Sequence, residues 1–153
     1  MTDSPAAPIR VLFVCVHNSS RSQMAEGMLR AWGGPKFEAH SAGTEATAVR
    51  PEAISVMAEL EIDISGHTSK TVERYVGQPW DFLIPVCEEA CEVCPYVPGA
   101  RTVERWAFDD PAAVNGDDAT RLEVFRRVRD EIAAAVRDFI GRTVATPSGA
   151  ASA

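Results

Sequence analysis

Apolar residues recur along this chain with two different periods. Ile9-Arg10-Val11-Leu12-Phe13-Val14-Cys15 is a nearly continuous apolar run rich in β-branched side chains, the pattern of a strand buried on both faces. After a polar stretch to Arg21, the residues Met24, Met28, Ala31 and Trp32 follow at helical spacing, and Gly33-Gly34-Pro35 ends that helix. Residues 37–41 predict a second strand, closed by Gly43. Pro51 suits the first turn of a helix with an apolar face of Ile54, Met57 and Leu60, although no glycine follows Leu60 to stop it. A short helix is expected over residues 70–76. Residues 80–86 (WDFLIPV) predict a third buried strand despite Pro85, and residues 101–106 a weaker fourth. The last helix has the clearest stripe: Phe125, Val128, Ile132, Ala135 or Val136, and Phe139, with Thr120 and Glu123 as a capping box.

Strands that alternate with helices predict an α/β fold: a four-stranded parallel sheet with helices on both faces. One domain is expected over residues 9–143, with tails at 1–8 and 144–153. In such sheets the site lies beyond the carboxyl ends of the strands. Three notable segments fall there. They are the loop after strand one, a cysteine cluster after strand three and an acidic loop after strand four.

Composition narrows the function classes. With 153 residues, 46% hydrophobic and 24% charged, the chain suits one soluble domain. It contains no apolar run of membrane-spanning length and no secretion signal at its start, so the expected location is the cytoplasm. A net charge of −7 argues against nucleic acid and anionic membrane as partners. The same charge repels small anions at long range, so any anion site has to be built locally. Cys15, Cys87, Cys91 and Cys94 then point to catalysis, redox chemistry or metal rather than to a disulfide framework.

The local site is expected at Cys15-Val16-His17-Asn18-Ser19-Ser20-Arg21-Ser22, between strand and helix. A loop that enters a helix N-terminus offers free N–H groups, and the helix dipole favours negative charge there. That setting favours the thiolate of Cys15, which is the nucleophile. Arg21 has a planar fork that can hold two oxygens of a tetrahedral oxyanion. Ser22 can donate to the Cys15 sulfur, and Asn18 tolerates the left-handed backbone of a tight cradle. His17 is expected to face solvent, with His40 and His67 structural. Asp109-Asp110-Pro111 follows strand four, where a carboxylic acid could protonate a departing oxygen, although Asp-Asp-Pro is also ordinary turn chemistry.

Residues 11–27, VLFVCVHNSSRSQMAEG, resemble the signature of the low-molecular-weight phosphatase superfamily, and more specifically its arsenate reductases, which have Gln-Met-Ala-Glu after Arg-Ser. Ser41-Ala42-Gly43 and Ile62-Asp63-Ile64-Ser65 extend the resemblance, which covers about residues 9–140. It implies Cys15 as nucleophile, Arg21 as oxyanion holder and Asp110, not Asp109, as the acid. The tyrosine phosphatases commonly carry aromatic residues after this Asp-Pro and a proline at position 23, where this chain has Ala112, Ala113 and Gln23.

Thioredoxin-linked arsenate reductases resemble the chain further, in two cysteines seven apart with proline after the second, as at Cys87 and Cys94-Pro95. The resemblance implies a relay from Cys15 to Cys87 to Cys94, arsenate as substrate, thioredoxin or a related thiol reductant as partner, and no organic cofactor. Cys91 departs from the pattern. A zinc reading of Cys87, Cys91 and Cys94 lacks a fourth nearby ligand, so no metal is assigned. Several of these reductases hold potassium at positions that map to Asn18, Glu26, Ser41, Thr68 and an acid where this chain has Lys70. A lysine ammonium there is expected to take the cation's place. The competing expectations are a tyrosine phosphatase using Cys15 and Asp110, and a non-catalytic thiol protein that binds arsenite or metal.

Overall fold

The structure, a computed structural model, describes residues 7–86 and 100–144. Four strands, β1 (Ile9–Cys15), β2 (Phe37–Gly43), β3 (Trp80–Pro85) and β4 (Ala100–Val103), form one sheet in the order β2-β1-β3-β4. Every neighbouring pair is parallel. Three helices, α1 (Arg21–Gly33), α2 (Pro51–Ala58) and α3 (Asp118–Val144), complete the described frame with 3-10 turns at Gly34–Lys36, Val72–Tyr75 and Pro111–Ala113.

β1 lies between β2 and β3, and Val11 to Cys15 are all buried, which explains the unbroken apolar run. Val11, Phe13 and Cys15 join the core formed with α1, α2 and α3. Leu12 and Val14 face the other way and pack with Ala42, Val72, Tyr75, Trp80 and Leu83. The three helices thus pack on one face, and among the described residues the other carries the 3-10 turn Val72–Tyr75, inside the span expected as a short helix.

The ends of β3 and β4 matter for the site. Pro85 has no N–H, yet its carbonyl accepts from Trp106 N at 2.8 Å. Glu104 N donates to Leu83 O at 3.0 Å, so pairing runs past Val103 toward the expected end of the strand. On the other side, Val86 N donates to Val14 O at 2.9 Å. The carboxyl ends of β1 and β3 are thereby held together.

Two helix boundaries differ from expectation. The inward face of α2 is Ala53, Val56 and Met57, and Leu60 is only half-buried because the helix ends at Ala58. The chain reverses at Glu61, which takes φ 61° where glycine is usual, and Ile62 N donates to Met57 O at 3.1 Å to close the terminus. At α3 the cap is Asp117, whose carboxylate accepts from Thr120 N at 2.8 Å. Thr120 is therefore three residues inside the cap, and the Thr120–Glu123 box is not used. A short side chain that accepts at the right backbone turn wins over the later threonine. Of the two options in the stripe, Val136 is the buried one.

Replacing Glu61 by glycine should remove the left-handed strain and raise stability by about 1 kcal/mol. Thermal unfolding should show a rise of roughly 2–4 °C for a chain of this length. An unchanged or lower midpoint would mean that Glu61 is compensated by contacts of its own side chain.

Candidate active site

The site grows from the backbone of residues 15–21. Each successive carbonyl from Val16 to Ser20 accepts a hydrogen bond from a residue beyond the loop. Val16 O accepts from Glu45 N at 3.0 Å and from Thr44 Oγ1 at 3.0 Å. His17 O accepts from Ser69 Oγ at 2.9 Å. Asn18 O accepts from Gln23 Nε2 at 3.2 Å, Ser19 O from Arg50 N at 2.9 Å, and Ser20 O from Met24 N at 2.9 Å in the first turn of α1. A trans peptide sets its N–H opposite its carbonyl. Holding these carbonyls outward therefore turns the following N–H groups inward. The N–H groups of His17, Asn18, Ser19 and Ser20 meet no acceptor among the described residues. Ser20 Oγ is likewise buried without a partner. Unfilled donors converging at a helix N-terminus are what an oxyanion requires.

Asn18 holds the loop in shape. It takes φ 51°, the left-handed conformation expected of it. Its amide is fully used. Nδ2 donates to Ser22 Oγ at 2.8 Å and Ser41 Oγ at 3.0 Å, while Oδ1 accepts from Gln23 Nε2 at 3.0 Å and Lys70 N at 2.8 Å. Because Ser22 Oγ accepts from Asn18, its own proton is left for the Cys15 sulfur, 2.9 Å away. Gly43 makes the close approach possible: a Cβ there would sit 2.6 Å from Val16 O and 2.8 Å from Asn18 N.

Cys15 is 3% exposed at the end of β1 and opens into a cleft of about 490 Å³. His17, Ser19, Ser20, Arg21 and Asp110 line the same cleft. The side chains of Val16, Asn18 and Ser22, also expected at the substrate, do not line this cleft. Arg21 Nη1 donates to Phe108 O at 3.0 Å, and its Nη2 lies 3.7 Å from Asp110 Oδ2. Asp110 also caps the turn Pro111–Ala113 by accepting from Ala112 N at 2.9 Å. It is thus both turn residue and cleft residue. Asp109 points elsewhere, 76% exposed and 3.3 Å from Arg127.

The sequence matches the model of the low molecular weight phosphotyrosine protein phosphatase family over residues 10–147. The chain belongs to that family. Among curated relatives in it, an arsenate reductase of Halalkalibacterium halodurans is 43% identical over 129 residues, which are 84% of this chain and 93% of that one. A solved structure described as an arsenate reductase in the phosphate binding state superposes with TM-score 0.73 at 37% identity, covering 88% of this chain and 98% of that one. A Corynebacterium glutamicum thioredoxin-dependent arsenate reductase gives 0.68 at 25% identity, covering 94% of this chain and 66% of that one.

One ion bound by family members does not fit here. Lys70 Nζ donates to Thr68 O at 2.6 Å and lies 3.9 Å from Glu26 Oε1. Thr68 O also accepts from Gln23 Nε2, Ser41 Oγ donates to Glu26, and Arg30 Nη2 lies 2.7 Å from Glu26 Oε2. Together with the two donors on Asn18 Oδ1, every oxygen expected around potassium is already engaged by a donor of this chain. Burial pushes the Lys70 ammonium down from its ordinary value, and the Glu26 carboxylate opposes that shift. Burial likewise lowers His67, which meets Gln23 Oε1 at 3.0 Å and so supports the loop from behind.

Cys87, Cys91 and Cys94 lie outside the described residues, and no cluster of three metal-ligating side chains occurs among the described ones. Also among these, no helix is long and apolar enough to cross a membrane. The residues that sequence reasoning missed are Thr44, Glu45, Arg50 and Ser69, which hold loop carbonyls, two of them (Glu45 and Arg50) through backbone N–H groups that sequence does not flag.

Gly43→Ala should displace the oxyanion loop, so arsenate or phosphate binding should fall by at least tenfold while most secondary structure survives, as judged by calorimetry and circular dichroism. Wild-type affinity in that variant would show that the close packing is dispensable. Potassium should leave the melting temperature unchanged relative to a matched inert salt, since a bound ion would stabilise by mass action. A clear rise specific to potassium would refute the lysine assignment.

Proposed function

We propose that this chain is an arsenate reductase that works through a Cys15 thiolate and a cysteine relay. The observation that carries the proposal is the position of Val86. It is hydrogen-bonded to Val14, next to the nucleophile, and it is the residue before Cys87 in the sequence. A hydrolase needs one thiol at this site, whereas a reductase needs a second within reach.

Arsenate enters the loop, where the inward N–H groups and Arg21 hold its oxygens. The Cys15 thiolate attacks arsenic. Asp110 protonates the departing oxygen, which leaves as water, and a sulfur–arsenic bond remains. Cys87 then attacks the Cys15 sulfur. The new disulfide takes the place of the sulfur–arsenic bond, whose electron pair goes to arsenic, and arsenite leaves. Cys94 attacks Cys87 and frees Cys15. The Cys87–Cys94 disulfide is reduced by thioredoxin or a related thiol reductant, a partner suggested by the thioredoxin-dependent relative. Cytoplasmic location fits that reductant.

Hydrolysis of a phosphate monoester could use the same Cys15, Arg21 and Asp110. Ala112 stands beside Asp110 on the cleft wall, so this wall offers no aromatic flank to a phenol ring. That favours a small inorganic oxyanion.

Arsenate reduction with a thioredoxin system, run beside aryl phosphate hydrolysis, tests the proposal. Reduction should dominate and should vanish in Cys15→Ser, because a hydroxyl has no comparable anion near neutral pH. Asp110→Asn should slow the first step about a hundredfold or more, and Asp109→Asn far less. Cys94→Ser should complete one turnover and stall as a Cys15–Cys87 disulfide on peptide mapping. Hydrolysis without reduction, or equal effects at the two aspartates, would overturn these assignments.

A further inference from the structure

Arg50 stands at the cleft beside Ser19, Ser20 and Arg21, yet the reaction described above does not use its side chain. Its backbone is fixed twice. The N–H donates to Ser19 O at 2.9 Å, and the residue is the N-cap of α2, followed by Pro51. The side chain is half-buried and makes no hydrogen bond or ion pair among the described residues. Other partly covered arginines behave differently. Arg10 lies 3.0 Å from Glu38, Arg121 3.0 Å from Glu52, Arg126 2.9 Å from Glu59 and Arg129 2.6 Å from Glu59. Glu52, two residues along, is therefore already taken. Of the other charged groups here, Glu45 faces His17 at 3.9 Å on the exposed rim, and Asp110 faces Arg21.

A second observation points to the same space. Ser20 lines the cleft, is 3% exposed and leaves its hydroxyl without a partner. An unpaired guanidinium and an orphaned buried hydroxyl border one cavity in a chain of net charge −7. The long-range field of such a chain turns dianions away, so a cation at the mouth has the most to contribute at the entry step.

We propose that Arg50 is a second anion-binding residue of the cleft, which captures tetrahedral oxyanion dianions on their way to the loop. This rests on the oxyanion-binding part of the proposed function. Its contribution lies in affinity and in kcat/KM for the anion. The bond-making step at Cys15 does not depend on it.

The test is equilibrium binding of inorganic phosphate, and separately arsenate, to the full chain and to Arg50→Gln and Arg50→Lys, by calorimetry at low and high salt. Arg50→Gln should weaken both anions about five- to tenfold, as for one charge-assisted contact at a half-exposed site. Arg50→Lys should lose less than about threefold, because it keeps the charge but not the fork. The salt dependence of binding should be shallower in Arg50→Gln. In steady state, KM for arsenate should rise while kcat stays within about twofold. Melting curves check folding, and Arg50→Lys carries the charge test if Arg50→Gln is unstable. If the wild type binds both anions and the folded Arg50→Gln binds them equally well with the same salt dependence, only the role of Arg50 is overturned. If the wild type binds neither anion, the proposed function falls and takes this inference with it.

Discussion

The site depends on one constraint: the carbonyls of the oxyanion loop are tied down on its outer side. Peptide planarity converts that tie into an inward array of N–H groups without any side chain having to point there. The donors that impose it come from three places, the segment after β2, the segment near Ser69, and Gln23 on α1. The parallel sheet matters because it brings those segments to one end of β1. Holding the donors in place before an anion arrives is a form of preorganisation, which lowers the reorganisation needed when charge appears on the substrate.

Arg21 links the loop to the opposite wall. It is almost fully buried at the start of α1, and its guanidinium reaches both the Phe108 carbonyl and the neighbourhood of Asp110. The proposed acid, Asp110, is therefore held relative to Cys15 through Arg21, the residue proposed to hold the anion. Loss of Arg21 would affect both binding and protonation, so the two effects would not separate cleanly in a single substitution.

Much of this was legible in the sequence, for identifiable reasons. β1 was legible because a strand buried on both faces leaves an unbroken apolar run. The loop was legible because cysteine, asparagine, serine and arginine between a strand and a helix are each chosen for a specific chemical role. Asp110 was distinguished from Asp109 through the family resemblance, in which the acid precedes a proline; the structure puts Asp110 on the cleft and Asp109 beside Arg127. The supporting loop was not legible. Glu45 and Arg50 act on the loop through backbone N–H groups, which every non-proline residue possesses, so their identity carries no signal. The end of α2 was missed for the opposite reason. Glutamate at a left-handed position breaks the usual glycine preference, and the packing of Ile62 and Ile64 outweighs that local cost. The caps of α3 differ because Asp117 and Thr120 are both credible caps, and only the path of the preceding turn decides between them.

The cluster behind the loop restricts how the protein can change over time. Asn18, Gln23, Glu26, Ser41, Thr68 and Lys70 share donors and acceptors, so a change in one of these side chains alters what its buried neighbours have to bond with. The effects of substitutions there cannot simply add. Loss of the lysine ammonium would leave Glu26 to Arg30 and Ser41 alone. Change in this cluster is therefore easier as coordinated substitutions than one residue at a time.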